Sequence, residues 1–209
     1  MSKEESSNLE KSRQTSDQYV QLFRDVPALS SKELVSLIQT RHEKNSSNDF
    51  LIVDVRSKSE QSISMIPGSI PLNQFEQTHV PSPSTTTVIF YCTVGYRSGM
   101  TARYFQDKYS IPVKNLDGIV AYTHAISEFV NTEKKTIYML KNPQTNEDTN
   151  RVHCYGKSWN YVDNHFEPVF FNSFHFLWKT FGVGLLTVWR SLQHIVASIH
   201  FYAILPNQR

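Results

Sequence analysis

The chain has little of several things whose scarcity narrows its class. Only two of its 209 residues are cysteine, Cys92 and Cys154, far below the density of a disulfide-stapled secreted domain, so a reducing compartment is the simpler expectation. The stretch from Met1 to Gln18 has no apolar run of the kind a signal peptide is built on, and its acidic residues are unlike a transit peptide. A cytoplasmic location is therefore expected. Lys and Arg form no run or stripe, and a formal net charge of +2 is too small for a nucleic-acid binder, so no nucleic-acid partner is expected. No metal or cofactor is expected either. Acidic residues stop at Glu167, which leaves the last stretch of the chain basic.

This length suffices for one domain with a substantial core, but not for two full domains plus non-globular ends. Residues 1–20 are Ser, Lys, Glu, Gln and Asn with almost no apolar side chains. They read as a disordered tail, because they bury too little to offset the entropy of ordering. The domain is expected over residues 26–135. It opens with Ser30 three residues before Glu33, a capping box, and with Leu34, Leu37 and Ile38 at helical spacing. Phe50 to Val53 is an unbroken apolar run of the kind a strand buried on both faces shows, and Thr87 to Tyr91 is a second, β-branched and aromatic run. Asn45 to Asn48, Pro67-Gly68 and Pro81 to Ser84 read as loops or turns. Ser98 to Tyr109 has helix composition, Val113 to Leu116 reads as a strand, and Ile119, Tyr122 and Ile126 recur at helical spacing. Strands alternating with helices imply an α/β fold: a central parallel sheet flanked by helices on both faces. Ligands of such sheets bind at the carboxyl ends of the strands.

One such end leads directly into Cys92-Thr93-Val94-Gly95-Tyr96-Arg97-Ser98. A thiol placed between a buried strand and a helix N-terminus faces several backbone N–H groups, and the helix dipole and a nearby guanidinium both favour the reactive thiolate. Gly95 permits the positive φ that a tight cradle needs, and Arg97 offers a planar fork of donors suited to an oxyanion. These residues describe a nucleophilic sulfur beside an anion-binding pocket. A small buried cysteine at a strand end is the plainer alternative, and the surrounding Gly, Arg and Ser weigh against it.

The loop resembles the active loop of the rhodanese-like domains, Cys-x-x-Gly-x-Arg commonly followed by Ser. The resemblance extends over about residues 29–130. It takes in Asp54-Val55-Arg56 at a strand end, Glu60, Ile66-Pro67-Gly68-Ser69-Ile70, and Asn115-Leu116-Asp117-Gly118. Met65 stands where the family often has His, and the single Gly118 and Tyr122 stand where it often has a glycine pair and a Trp. The resemblance implies a rhodanese-like fold and a sulfurtransferase. Cys92 would be the catalytic nucleophile, taking the outer sulfur of a thiosulfate-like anion as a persulfide and passing it to a thiol or cyanide. Thr93 to Ser98 would form the anion-binding loop, with Arg97 holding the donor's oxyanion or orienting the loop. Asp54 and Arg56 would stand behind it, Asp54 pairing with a loop arginine, capping loop amides, or serving only as a turn residue.

Two rival functions remain at this stage. A phosphatase or arsenate reductase of the same fold also uses a Cys and an Arg across an amide-lined loop, but such phosphatases place five residues between the two, whereas Thr93 to Tyr96 are four. A non-enzymatic module that regulates a partner or senses oxidants through Cys92 is the other, with Cys154 as the candidate resolving thiol.

Residues 136–171 are expected to be an extension packed on the domain, with His153 and Trp159 weighed as pocket-lining or packing residues. From residue 172 to 209, Phe174, Leu177, Trp178, Phe181, Leu185, Val188, Leu192, Ile195, Val196 and Ile199 fall on one side of a helix, with Lys179, Arg190, Gln193 and His194 opposite. Three fates fit this amphipathic tail equally: peripheral attachment to an anionic membrane surface, burial in a homodimer through residues 172–205, or packing on its own domain.

Overall fold

In chain order the elements are α1 (Lys3–Leu22), β1 (Ala28–Leu29), α2 (Ser31–Lys44), β2 (Phe50–Asp54), α3 (Lys58–Gln61), β3 (Ser69–Pro71), α4 (Leu72–Thr78), β4 (Thr87–Tyr91), α5 (Tyr96–Tyr109), β5 (Val113–Leu116), α6 (Ile119–Ile126), α7 (Lys135–Tyr138), β6 (Arg151–His153) and β7 (Glu167–Val169). They come from a computed structural model that describes residues 3–44, 50–78 and 86–171. The loops expected at 45–48 and 81–84 and the amphipathic tail at 172–209 lie outside the described residues.

Five strands form one sheet in the order β1-β5-β4-β2-β3, and every pairing in it is parallel. The unbroken apolar runs are explained by which way their side chains point. Along β2 and β4, Phe50, Ile52, Ile89 and Tyr91 enter one core with Leu34 and Ile38 of α2 and Ile119, Tyr122 and Ile126 of α6. The intervening Leu51, Val53, Val88 and Phe90 enter a second core with Phe75 of α4 and Ala102 and Phe105 of α5. Both faces of the sheet are thus covered by helices, and a strand buried on both faces cannot alternate with polar residues. The capping box at the start of α2 is present: Ser30 N donates to Glu33 Oε2 at 2.8 Å, and Glu33 N donates to Ser30 Oγ at 3.3 Å.

The N-terminal stretch differs from the disordered tail expected of its composition, because residues 3–22 form α1. Its own apolar content is small, but its end finds partners elsewhere. Tyr19 and Phe23 pack on the ring of Tyr96, with centroids 5.4 and 5.9 Å away. Phe23 also fills a notch over Gly99, where an added Cβ would come within 2.4 Å of the ring. Just beyond the helix, Arg103 pairs with Asp25, and Gln106 Nε2 donates to Asp25 O at 3.0 Å. Composition gauges what a segment can bury by itself, not what a neighbour offers it.

Residues after 135 complete the first core. Tyr138, Met139, Leu140, Val152, Cys154, Val162 and Phe166 all join it. Met65 and Lys141 exchange backbone hydrogen bonds at 2.8 and 2.9 Å, and Tyr122 Oη donates to Tyr138 O at 2.9 Å. β6 and β7 pair in parallel as a separate two-stranded sheet. Among the described residues, no helix is long and apolar enough to cross a membrane.

A buried polar network ties the carboxyl ends of β2 and β4 to each other. Arg56 and Asp54 form an ion pair at 2.7 Å with neither side chain exposed. Tyr91 Oη donates to Asp54 Oδ2 at 2.6 Å and accepts from Ile66 N at 3.1 Å, while Arg56 Nη2 donates to Ser64 O at 2.6 Å. Removing one partner strands the other's charge in the core. Arg56→Met is expected to lower stability by about 3–5 kcal/mol, read as a fall in the urea midpoint at constant slope; an unchanged midpoint would contradict the network's role.

Candidate functional site

β4 runs out at Tyr91, and the next residues, Cys92 to Gly95, curl into the start of α5. Cys92 is only 1% exposed. Its sulfur receives two hydrogen bonds, from Gly95 N at 3.2 Å and from Ser98 Oγ at 3.6 Å. Gly95 makes this curl possible: its φ is +93°, a left-handed conformation that a side chain would strain, and it stands immediately before the helix. Its carbonyl accepts from Asn115 Nδ2 at 3.0 Å and from Gly99 N at 3.1 Å, so the turn is fixed from β5 as well as from α5.

The other side of the loop is held by α6. Ile119 N donates to Cys92 O at 2.9 Å and Val120 N to Thr93 O at 3.2 Å, so amides at the N-terminus of that helix find partners in the loop. Such close approach needs Gly118, where an added Cβ would lie 2.4 Å from Thr93 O and 2.7 Å from Val94 Cα, and where φ is +115°. Asp117, just before it, accepts from Ser31 N at 3.0 Å and from the Ser31 hydroxyl at the start of α2. Burial pushes its carboxyl up to about 6.

Arg97 is turned toward Glu60. Its Nη1 and Nη2 donate to Glu60 Oε2 and Oε1 at 2.9 and 2.8 Å, and Nη2 also donates to Thr93 Oγ1 at 3.0 Å. The guanidinium lies over the ring of Tyr155, 5.0 Å from its centroid. His153 Nδ1 is 3.4 Å from Glu60 Oε1. Burial opposes the Glu60 charge, but Arg97, His153 and the Ser57 amide outweigh it and hold the carboxyl well below the usual carboxylate range. Arg97 thus ties the loop to Glu60 of α3.

The loop residues Cys92, Thr93, Val94, Gly95, Tyr96, Arg97 and Ser98 are brought together, with Thr93 and Ser98 buried and Tyr96 exposed. Among the described residues, no hydrogen bond or ion pair joins Asp54 or Arg56 to Arg97. They pair with each other instead, because the backbone turn after β2 brings Arg56 N to within 2.9 Å of Asp54 Oδ1 and folds the side chain back along it. Their link to the loop runs through Tyr91, the residue before Cys92. The partner that sequence reasoning missed for Arg97 is Glu60. Its pattern with Ser57 marks a capping box, which is present at α3, but nothing in that spacing shows a second partner 37 residues away. His153 stands behind Glu60, and Trp159 lies 6.5 Å from Tyr19, centroid to centroid. Burial pushes the Cys154 thiol up to about 12, which makes it inert at neutral pH. Among the described residues, no group of three or more His, Cys, Asp or Glu side chains is placed to hold a metal ion.

The arrangement thus places a free thiol at a strand-to-helix turn. The sulfur lies within hydrogen-bond reach of a backbone amide and a hydroxyl, beside the N-terminus of α5.

Residues 33–125 match the family model described as the rhodanese-like domain. No curated protein matches the chain. Among solved structures, a thiosulfate sulfurtransferase from Pseudomonas aeruginosa is 23% identical, with a TM-score of 0.40, over 56% of this chain and 22% of that one. A rhodanese-like domain protein from Staphylococcus aureus is 21% identical, with a TM-score of 0.37, over 46% of this chain and 91% of that one. A Rhodopseudomonas palustris protein described as a possible tyrosine phosphatase is 22% identical, with a TM-score of 0.39, over 55% of this chain and 89% of that one. At these values the likenesses say nothing of this chain's activity.

Two outcomes follow from how the loop is held. Gly118→Ala drives a methyl into the Thr93 carbonyl at a left-handed position, and a loss of about 2–4 kcal/mol is expected; thermal unfolding would show it, and wild-type stability would refute the contact. Because Asp117 binds its proton more tightly folded than unfolded, its contribution to stability falls as pH rises from about 4 to about 6. Asp117→Asn should lose that fall, so the difference in stability between variant and wild type should change across this window and stay flat above it.

Proposed function

We propose that the chain is a sulfurtransferase carrying sulfane sulfur on Cys92, a reading supported by the match of residues 33–125 to the rhodanese-like domain model. The observation that supports this most directly is the sulfur itself, held by Gly95 N and Ser98 Oγ at the start of α5. In the first step the Cys92 thiolate attacks the outer sulfur of thiosulfate. A new S–S bond forms, the old one breaks, and sulfite leaves with its electron pair. Cys92 now carries a persulfide whose terminal sulfur is anionic. In the second step cyanide, or a thiolate, attacks that terminal sulfur, the S–S bond breaks, and the electron pair returns to Cys92 as thiolate. No external oxidant or reductant is needed. With cyanide the product is thiocyanate.

The same two hydrogen bonds and the helix terminus stabilise negative charge on sulfur throughout. Arg97, engaged by Glu60 and Thr93, positions the loop and adds a fixed positive charge beside it. Its engagement, together with four residues between Cys92 and Arg97, favours sulfur over phosphate transfer. Cys154 argues against a dithiol relay, since a thiol pushed up to about 12 is a poor resolving nucleophile.

The test is thiosulfate–cyanide turnover on purified protein, with intact mass recorded after thiosulfate alone. Wild type should gain the mass of one sulfur and produce thiocyanate. Cys92→Ser should do neither, and Cys154→Ser should do both at the wild-type rate. Hydrolysis of aryl phosphate without sulfur transfer would overturn the assignment.

A further inference from the structure

The rings above the Cys92 loop come from two segments outside the family-matched stretch. From the N-terminal side, Tyr19 of α1 packs on Tyr96 of the loop at 5.4 Å, and Phe23 packs on the same ring at 5.9 Å. From the other side, Tyr155 covers Arg97 at 5.0 Å, and Trp159 and Tyr161 lie 6.4 Å apart. The two sides meet. Tyr19 and Trp159 are 6.5 Å apart, and Lys11 of α1 lies 6.0 Å from the ring centroid of Tyr161.

Helix α1 is not held there by an apolar stripe. Ser12 and Thr15 are buried, and with Tyr19 they recur at i, i+3 and i+7, so the face turned inward carries hydroxyls. Just beyond its end, Phe23 fills the notch over Gly99 and Asp25 pairs with Arg103. Cys92 beneath is 1% exposed, although a nucleophile that exchanges sulfur must meet its substrates. Burial raises the Tyr19 phenol above its ordinary value, in keeping with a ring packed between Tyr96 and Trp159.

We propose that α1 and the segment from Tyr155 to Tyr161 form a size-selective canopy over Cys92, closed by Tyr19 against Tyr96 and Trp159, so that the sulfur acceptor is a small molecule and not the thiol of a folded partner. The acceptor class rests on the sulfur-transfer reading; the canopy does not. A persulfide formed beneath it is screened from protein thiols, while an anion of the size of cyanide or sulfite passes between the rings. Tyr19 acts as a specificity-determining residue, through its ring and not its hydroxyl.

The canopy is tested by alkylating Cys92 in the folded full-length protein with a small reagent, iodoacetamide, and a bulky one, fluorescein maleimide, and taking the ratio of the two rates. Adducts are located by peptide mass, and only molecules with unmodified Cys154 are counted, since that thiol reacts only when the core opens. Tyr19→Ala and, independently, Trp159→Ala should raise the bulky-to-small ratio about tenfold or more, while Tyr19→Phe should keep the wild-type ratio. An increase in either alanine variant with Tyr19→Phe unchanged supports the canopy. A ratio unchanged in both, or raised equally by Tyr19→Phe, overturns it. Alkylation needs no sulfur transfer, so this result stands apart from the turnover assay. If the canopy holds, the same alanine variants should also accelerate sulfur transfer to a reduced protein thiol more than to cyanide, and equal acceleration would overturn the small-acceptor assignment.

Discussion

Two carbonyl oxygens, those of Cys92 and Thr93, are captured by the amides of Ile119 and Val120 at the start of α6, and the rest of the site depends on that capture. A loop leaving the end of a buried strand carries backbone groups that have lost their sheet partners. A helix N-terminus has amides with no partner within the helix. Here each supplies what the other lacks, at a separation that only the missing side chain of Gly118 allows. With its carbonyls fixed on that side, the loop turns Gly95 N toward the sulfur, and α5 begins where the turn ends. The position of the sulfur is therefore set by two helices and two strands.

Charge is arranged in two layers behind this loop. The deeper one, Asp54 with Arg56 and Tyr91, is sealed in the core and joins the ends of β2 and β4. The outer one, Glu60 with Arg97 and His153, joins the loop to α3 and to β6. An ion pair as buried as Asp54–Arg56 adds little net stability over an apolar pair of the same volume, but each partner makes the other indispensable. It specifies where the strand ends lie, and so where the loop can start.

Much of this was legible in the chain itself. Phe50 to Val53 and Thr87 to Tyr91 announce strands covered on both faces, Ser30 and Glu33 announce the start of α2, and Cys92 to Ser98 announce a strand-to-helix turn around a thiol. These features are local, and a periodicity or a cap is written within a few residues. Harder to foresee were features whose partners are distant in sequence. α1 looked disordered because Tyr19 and Phe23 are few among polar residues, and their partners, Tyr96 and Gly99, lie more than seventy positions away. Glu60 was noted only as a position matching the family; it caps α3, and the Arg97 fork it also receives is set by how α3 and α5 approach each other. Asp54 was given a loop arginine as one of its options and took its own neighbour but one.

Lys141 and Met65 exchange backbone hydrogen bonds across the domain, and that pairing redefines where the domain ends. The stretch that matches the family stops at 125, yet Tyr138, Leu140, Val152, Cys154, Val162 and Phe166 lie in the same core as the strands of the sheet. A fragment trimmed to the matched residues would turn Ile66 and Tyr122 out to water and leave the Tyr122 hydroxyl without the Tyr138 carbonyl. Such a surface is adhesive. The smallest piece that carries its own closed core reaches Phe166 or beyond, so the evolutionary module and the folding unit of this chain are different lengths.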